Sequence, residues 1–335
     1  MQDSRCKQKS KSGHMLSWLC SCLLAGALIS VSPLMARAEG TVGSEVVVSP
    51  EIPGIQYLIM SGSVPIRTLP DDSTKACSVM QAGEIVIATG VTKTGWYHIT
   101  YCGIDGYIKS DLIQPYTGGM EQTPQPKIVQ SKEEFVISAL GDSITYGENV
   151  SSQEKVYASV LGQMIGANKV YNYGLRGSAI AGNHPDRFVD RFRDMAPDAD
   201  LILVFGGTND YGFDTPLGKM GDTTVDTFYG GVNLLMCEML QRYPKAEIVF
   251  LTPIRRLRDT RPNKSGNVLS EYAKAVSELG AFYDVPVIDL FSSVEVNFLP
   301  NRSRYMKDGI HPGDVAQKKL AEYVYQKFVI VSAES

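Results

Sequence analysis

Five short, predominantly apolar runs punctuate the second half of the chain: Phe135–Leu140, Val170–Tyr173, Leu201–Phe205, Ile248–Leu251 and Val285–Leu290. Runs of this length without polar alternation predict strands buried on both faces of a parallel sheet. Between them the apolar positions shift to helical spacing, clearest at Val225, Phe228, Val232, Leu235, Met236, Met239 and Leu240. A last helix is predicted from Asp314, with Gln317 three residues on as a capping box and Ala316, Leu320, Val324 and Phe328 on its buried face. Five β-α units imply an α/β domain over 135–330, with helices on both faces of a five-stranded parallel sheet.

The first half has a different texture. Residues 57–116 carry short alternating strands broken by glycine, at Glu84–Ala88, Trp96–Tyr101 and Tyr107–Ile108, and no helical period. They predict a small all-β domain, preceded by a polar lead-in at 39–56. Residues 117–134, rich in Gly, Gln, Pro, Lys and Glu, read as a linker. At the start, Arg5, Lys7, Lys9 and Lys11 precede the apolar stretch Met15–Val31, and Ala36-Arg37-Ala38 has the form of a cleavage site. This predicts a signal peptide over 1–38 and export. A membrane anchor is the competing reading, but the run is short for a span and is followed by Ser32, Pro33 and Arg37. Translation from Met15 would leave a poorer basic region.

A length of 335 residues suits one large domain and one small one. The first 38 residues hold five Lys/Arg and one Asp, so cleavage leaves 27 basic and 35 acidic residues, net −8. Nucleic acid is therefore not an expected partner. Cys77 and Cys102 share the small domain and are a candidate disulfide, worth about 3 kcal/mol outside the cytoplasm; two reduced thiols are the alternative. Cys237 lies in an apolar helical stretch and reads as core. No cluster of His, Cys and carboxylates has metal-ligand spacing, so no metal or other cofactor is expected.

The chemistry-bearing residues fall just after the predicted strands. Ser143 stands in Gly141-Asp142-Ser143-Ile144-Thr145-Tyr146-Gly147 after the first run, and Asn172-Tyr173-Gly174-Leu175-Arg176-Gly177 ends the second. Gly206-Gly207-Thr208-Asn209-Asp210 follows the third, and Asp308-Gly309-Ile310-His311 comes after the fifth. Open parallel sheets bind ligands outside the carboxyl ends of their strands, so the topology should gather these segments. A serine hydroxyl is a weak nucleophile until an oriented imidazole removes its proton. Beyond the signal only His98, His184 and His311 are candidates. His98 alternates along a strand of the small domain, and His184 sits in a loop as a weaker rival. His311 has Asp308 three residues earlier to fix its tautomer; a turn residue and a helix-start residue are the bland readings of that pair. Gly177 and Asn209 offer donors for a developing oxyanion, against simple roles as a turn and a strand-end cap. Asp142 reads as a brace for the loop. Arg255, Arg256, Arg258 and Arg261 form either an anion groove or, more simply, a salt-bridged loop. Tyr146 and Arg255 are candidate substrate contacts.

Taken together, Ser143, Gly177, Asn209 and the Asp308/His311 pair, in that order, resemble the SGNH (GDSL) hydrolase superfamily. The resemblance covers roughly 135–328. It implies a flavodoxin-like α/β/α sandwich, catalysis by Ser143, His311 and Asp308, and an oxyanion hole built from the Ser143 and Gly177 N–H groups and the Asn209 amide. The earlier domain, with Val64-Pro65-Ile66-Arg67, Gly95-Trp96-Tyr97 and Gly103-Ile104-Asp105-Gly106-Tyr107-Ile108, is similar to bacterial SH3-like modules, which implies contact with cell wall or peptidoglycan. The resulting expectation is a secreted or wall-associated bacterial serine esterase that removes O-acetyl groups from polysaccharide, without a cofactor. A lipase, lysophospholipase or thioesterase of the same superfamily is the alternative enzyme, and a non-catalytic wall-binding protein the alternative of another class.

Overall fold

A computed structural model of the chain describes residues 46–47, 55–60, 62–82, 85–101, 104–116, 123–130 and 134–332. The predicted signal segment, together with Cys6, Cys20, Cys22 and Cys102, lies outside the described residues. Among the described residues no helix is long and apolar enough to cross a membrane.

The N-terminal part is an antiparallel sheet. Its strands are β1 (Val46–Val47), β2 (Ile55–Ile59), β3 (Ser63–Arg67), β4 (Ala76–Gln81), β5 (Ile85–Thr92), β6 (Trp96–Tyr101), β7 (Ile104–Lys109) and β8 (Ile113–Pro115). They run in the order β4-β3-β7-β6-β5-β2-β8, with β1 also paired to β5. Ile59, Ile66, Met80, Ile99 and Ile108 fill the space beneath, and Trp96 is buried rather than displayed. His98 bonds Thr89 at 2.6 Å and meets the Tyr107 ring edge-on, so it is engaged within the sheet.

The cysteines depart from expectation. Cys77 is a free, exposed thiol whose Sγ lies 3.3 Å from the Ile66 carbonyl, so the proposed Cys77–Cys102 bridge is not formed. The pleat of β4 turns this side chain toward Gly106 and the backbone of β3. Cys237 is buried but disulfide-bonded rather than simple core, and its partner lies outside the described residues. Part of the predicted linker is also ordered. Lys127–Gln130 forms β9, which pairs in parallel with β15 (Val329–Ser332).

The remainder is an α/β sandwich. Strands β10 (Val136–Gly141), β11 (Lys169–Gly174), β12 (Leu201–Phe205), β13 (Glu247–Leu251) and β14 (Val287–Ile288) form an all-parallel sheet in the order β11-β10-β12-β13-β14. Alternate residues face opposite layers. Ile202 and Val204 pack under α5 (Phe228–Arg242) and α6 (Leu269–Tyr283), while Leu201, Leu203 and Phe205 pack under α2 (Tyr157–Ile165) and α8 (Asp314–Lys327). Burial on both faces accounts for the apolar texture of β10, β12 and β13, at about 1.5–3 kcal/mol for each large side chain. Strand β11, at the sheet edge, is only part-buried, contrary to its predicted burial on both faces. The fifth strand is shorter than its apolar run. Pro286 has no N–H to donate, and paired residues begin at Val287. Helix α8 does start at Asp314, but Gln317 makes no capping box; it is fully buried and its amide is used elsewhere.

Strand order places β10 between β11 and β12, so the chain leaves β10 in one direction first and in the other later. That reversal opens a crevice at the carboxyl end of β10, where Ser143 follows. Gly174 makes this packing close, because a Cβ there would stand 2.1 Å from the Tyr146 backbone nitrogen. Gly174→Ala must push the Ser143 turn off the end of β11. It should lower the melting temperature by roughly 5 °C, for about 2 kcal/mol lost. Thermal unfolding followed by circular dichroism checks this, and a variant melting with the parent would show that the approach is looser.

Candidate active site

The nucleophile candidate sits on a one-turn helix, α1 (Ser143–Tyr146), that begins immediately after β10. Asp142 caps it, its Oδ1 accepting the Ile144 N–H at 2.8 Å. Burial pushes the Asp142 carboxyl up to about 6, against the opposing pull of that N–H and of His311, Arg191 and Arg256. Ser143 is itself mostly buried, and its Oγ lies 2.9 Å from His311 Nε2. On the other side of the ring, Nδ1 is 2.6 Å from Asp308 Oδ2. A carboxylate there fixes the tautomer that leaves Nε2 free to accept the serine proton.

Four donors converge on Asp308. Its Oδ1 accepts the N–H groups of Ile310 (2.9 Å) and His311 (2.8 Å), and Oδ2 accepts Asn149 Nδ2 (2.9 Å) besides the ring. Partial burial works to raise this carboxyl, but the His311 and Ile310 hydrogen bonds outweigh it and hold it at about 2. Asp308 is therefore ionised wherever the protein is folded under ordinary conditions.

A backbone turn supplies further donors. Gly177 adopts φ +73°, a left-handed conformation natural to glycine, with nothing within 4 Å of where a Cβ would stand. Neither its N–H nor that of Ser143 meets an acceptor among the described residues. Asn209 lies on α4 (Thr208–Gly212), and one amide hydrogen donates to the Ser178 carbonyl at 3.0 Å. This ties Asn209 to the Gly177–Ser178 turn and leaves its second amide hydrogen available.

The remaining candidates are placed differently. His184 accepts the Asp186 N–H at 3.2 Å and stacks on Phe213, engaged in its own loop rather than with Ser143. Tyr146 is part-exposed beside the site, under the Arg176 guanidinium at 4.5 Å. Arg255 is committed to Asp259 and to the Phe291 ring, and Arg256 donates to the Thr208 carbonyl and hydroxyl. Arg255 and Arg256 thus work inside the protein, whereas Arg258 and Arg261 are exposed.

Three supporting residues escaped the sequence reading. Arg191 donates to the carbonyls of Tyr173 (2.6 Å) and Gly141 (2.5 Å) and to Ser178 Oγ (3.0 Å), lashing together the ends of β11 and β10 and the Gly177 turn. Gln317 bridges the Ile144 carbonyl and the Tyr157 N–H, which pins α8 to the nucleophile's helix. Asn149 reaches Asp308 across 159 residues. None belongs to a motif block; Gln317 carried only its capping-box spacing, and Asn149 lies in the segment just after Gly147.

Geometry of this kind, with nucleophile, base, orienting carboxylate and convergent N–H donors at one sheet edge, is what acyl transfer by a serine requires. Residues 139–319 match the GDSL-like lipase/acylhydrolase family, and the chain belongs to that family within the SGNH hydrolase superfamily. It is 26% identical over 201 residues to a GDSL lipase of Mycobacterium tuberculosis, a match covering 56% of this chain and 79% of that one. A Lactobacillus plantarum protein of known structure is 29% identical with a TM-score of 0.53, covering 58% of this chain and 97% of its own. A second solved structure is 32% identical at the same TM-score of 0.53, with 58% and 95% covered.

Asp210 gives the site a pH signature. It is fully buried and accepts the Ile180 and Ala181 N–H groups at 2.9 Å each. Burial pushes its carboxyl up to about 7 against those hydrogen bonds. A folded-state value above the unfolded one means that folding takes up protons, so this contribution is fully present below about pH 4 and is lost as pH rises toward 7. Between pH 5 and pH 7 it should cost about 2 kcal/mol. Urea unfolding at the two pH values should show the loss in the parent and a smaller one in Asp210→Asn; equal losses would place the proton uptake elsewhere.

Proposed function

We propose that the protein is an exported serine esterase that removes O-acetyl groups from cell-wall or other polysaccharides through an acyl-enzyme. Membership of the family supports ester-bond hydrolysis in general. The observation that carries the residue assignment is the relay Ser143 Oγ–His311 Nε2–Asp308. In this reading Ser143 attacks the carbonyl while His311 takes the hydroxyl proton, and the N–H groups of Ser143 and Gly177 with the Asn209 amide receive the negative charge. His311 then gives the proton to the departing alcohol. Water, deprotonated by the same imidazole, releases the acyl group as a carboxylic acid. Asp308 stays ionised throughout and stabilises the imidazolium.

Export rests on the basic and apolar start of the chain, and polysaccharide on the β-sheet domain's similarity to SH3-like modules. Binding to isolated peptidoglycan, compared between the full chain and one lacking 57–116, tests the second point. Esters of longer acyl chains are a second reading. Leu175, Phe213 and Leu257 are part-exposed on segments at the carboxyl edge of the sheet and would suit an acyl chain, and the mycobacterial relative is named a lipase. A panel of acetyl-xylan, acetylated peptidoglycan and lysophospholipid separates the two.

With 4-nitrophenyl acetate, Ser143→Ala should lower kcat at least about a thousandfold. Measurable turnover at the parental rate would remove the assignment. Asn149→Ala removes one hydrogen bond to the ionised Asp308, worth about 1.5 kcal/mol. It should lower kcat roughly tenfold while leaving KM near its parental value. Asn149→Asp, which sets two carboxylates together, should be worse than Asn149→Ala; equal loss in both would point to the backbone turn instead.

A further inference from the structure

A cavity of about 530 Å³ lies beside the relay, within the size range of small-ligand sites. His311 and Asp308 form part of its wall, and the rest comes from the 149–151 turn, the 304–307 segment and the start of α8. Ser143 does not line it, so it extends away from the nucleophile on the imidazole's side.

The charges around it are unevenly committed. Asp308 already accepts four hydrogen bonds. Asp314 is bound by the Ser151 N–H (2.8 Å), the Ser151 hydroxyl (2.7 Å) and Lys155 (2.8 Å). Both carboxylates are therefore engaged by groups of the protein, Asp308 by its four donors and Asp314 also by an ion pair to Lys155. Arg304 and Lys307 are exposed and make no ion pair among the described residues. Arg304 lies over the Tyr305 ring, and in a protein of net negative charge these two cations face the cavity without a carboxylate partner among the described residues.

We propose that the cavity is a subsite for the alcohol half of the ester, and that this half is a sugar chain carrying an anionic group, a carboxylate or a phosphate, held by Arg304 and Lys307. The inference rests on the esterase reading and deepens it. His311 must hand a proton to the departing alcohol, so that half lies on the imidazole's side, where the cavity begins. A guanidinium and an ammonium on one rim suit an oxyanion, the first by a paired hydrogen bond and the second as a point charge. The acyl half then lies toward Gly177 and Asn209.

The test uses the full chain carrying Ser143→Ala, so that ligands bind without turnover. Calorimetric titration compares trigalacturonate, glucose 6-phosphate and neutral xylotriose. One anionic sugar should bind about tenfold more tightly than xylotriose, the effect of two well-placed surface ion pairs. Which one does so identifies the anion. That advantage should vanish in Arg304→Glu/Lys307→Glu, persist in Arg304→Lys/Lys307→Arg, and shrink in high salt. Both side chains are exposed, so these variants should melt with the parent. Equal binding of all three sugars, or an advantage that survives charge reversal, overturns the subsite. Turnover of 4-nitrophenyl acetate by the unsubstituted chain is followed in parallel. Its absence would remove the esterase reading, whereas equal sugar binding with turnover intact would remove the subsite alone.

Discussion

Gln317 lies wholly out of solvent, and its side-chain amide reaches two elements far from it in sequence: it donates to the Ile144 carbonyl and accepts the Tyr157 N–H. A buried amide of this kind tolerates little displacement, because either neighbour left unpaired would cost about 1–3 kcal/mol. Through it, α8 is fixed against the one-turn helix that carries Ser143. The His311 turn precedes α8 directly, so the same bond sets how far the imidazole stands from the serine. Asp314, gripped by Ser151 and Lys155, and Asp308, gripped by Asn149, repeat the link nearer the site. The 2.9 Å approach of Ser143 to His311 is the outcome of these ties.

A second set of buried polar groups holds the opposite wall. Arg191 gathers the ends of β10 and β11 with Ser178, while Asp210 gathers Ile180 and Ala181. Arg256 secures the Thr208 carbonyl beside Asn209. The N–H groups of Ser143 and Gly177, without an acceptor among the described residues, thus sit in backbone that is braced from behind. Donors fixed in advance of the reaction need no reorganisation when charge develops, and this is the main source of their effect. The desolvation of Asp142 and Asp210, seen in their raised pKa values, is the energetic cost of that bracing.

Much of the α/β architecture was legible in the sequence, because strands in the middle of the sheet leave nearly continuous apolar runs and helices leave a 3.6-residue period. Ser143, Gly177, Asn209 and Asp308/His311 were legible as blocks, and the strand order explains why such distant blocks meet. The supporting residues were not. Arg191 and Gln317 act on backbone carbonyls and N–H groups, which have no sequence identity for a pattern to match. Gln317 even carried a false signal, since its spacing from Asp314 fits a capping box that burial forbids. Cys77 and Cys102 looked pairable by proximity alone, but the pleat of β4 directs the Cys77 thiol to the Ile66 carbonyl. The linker composition hid β9, whose partner strand lies two hundred residues away at the other end of the domain.

The central claim is that Ser143 becomes covalently acylated with His311 as its base. Rapid-quench mass spectrometry after mixing with 4-nitrophenyl acetate tests it most directly. One acetyl group should appear on the peptide containing Ser143 in the parent, accumulate in step with the first turnover, and be absent from Ser143→Ala and His311→Ala. Turnover with no acetylated Ser143, or acetylation undiminished in His311→Ala, would contradict the account.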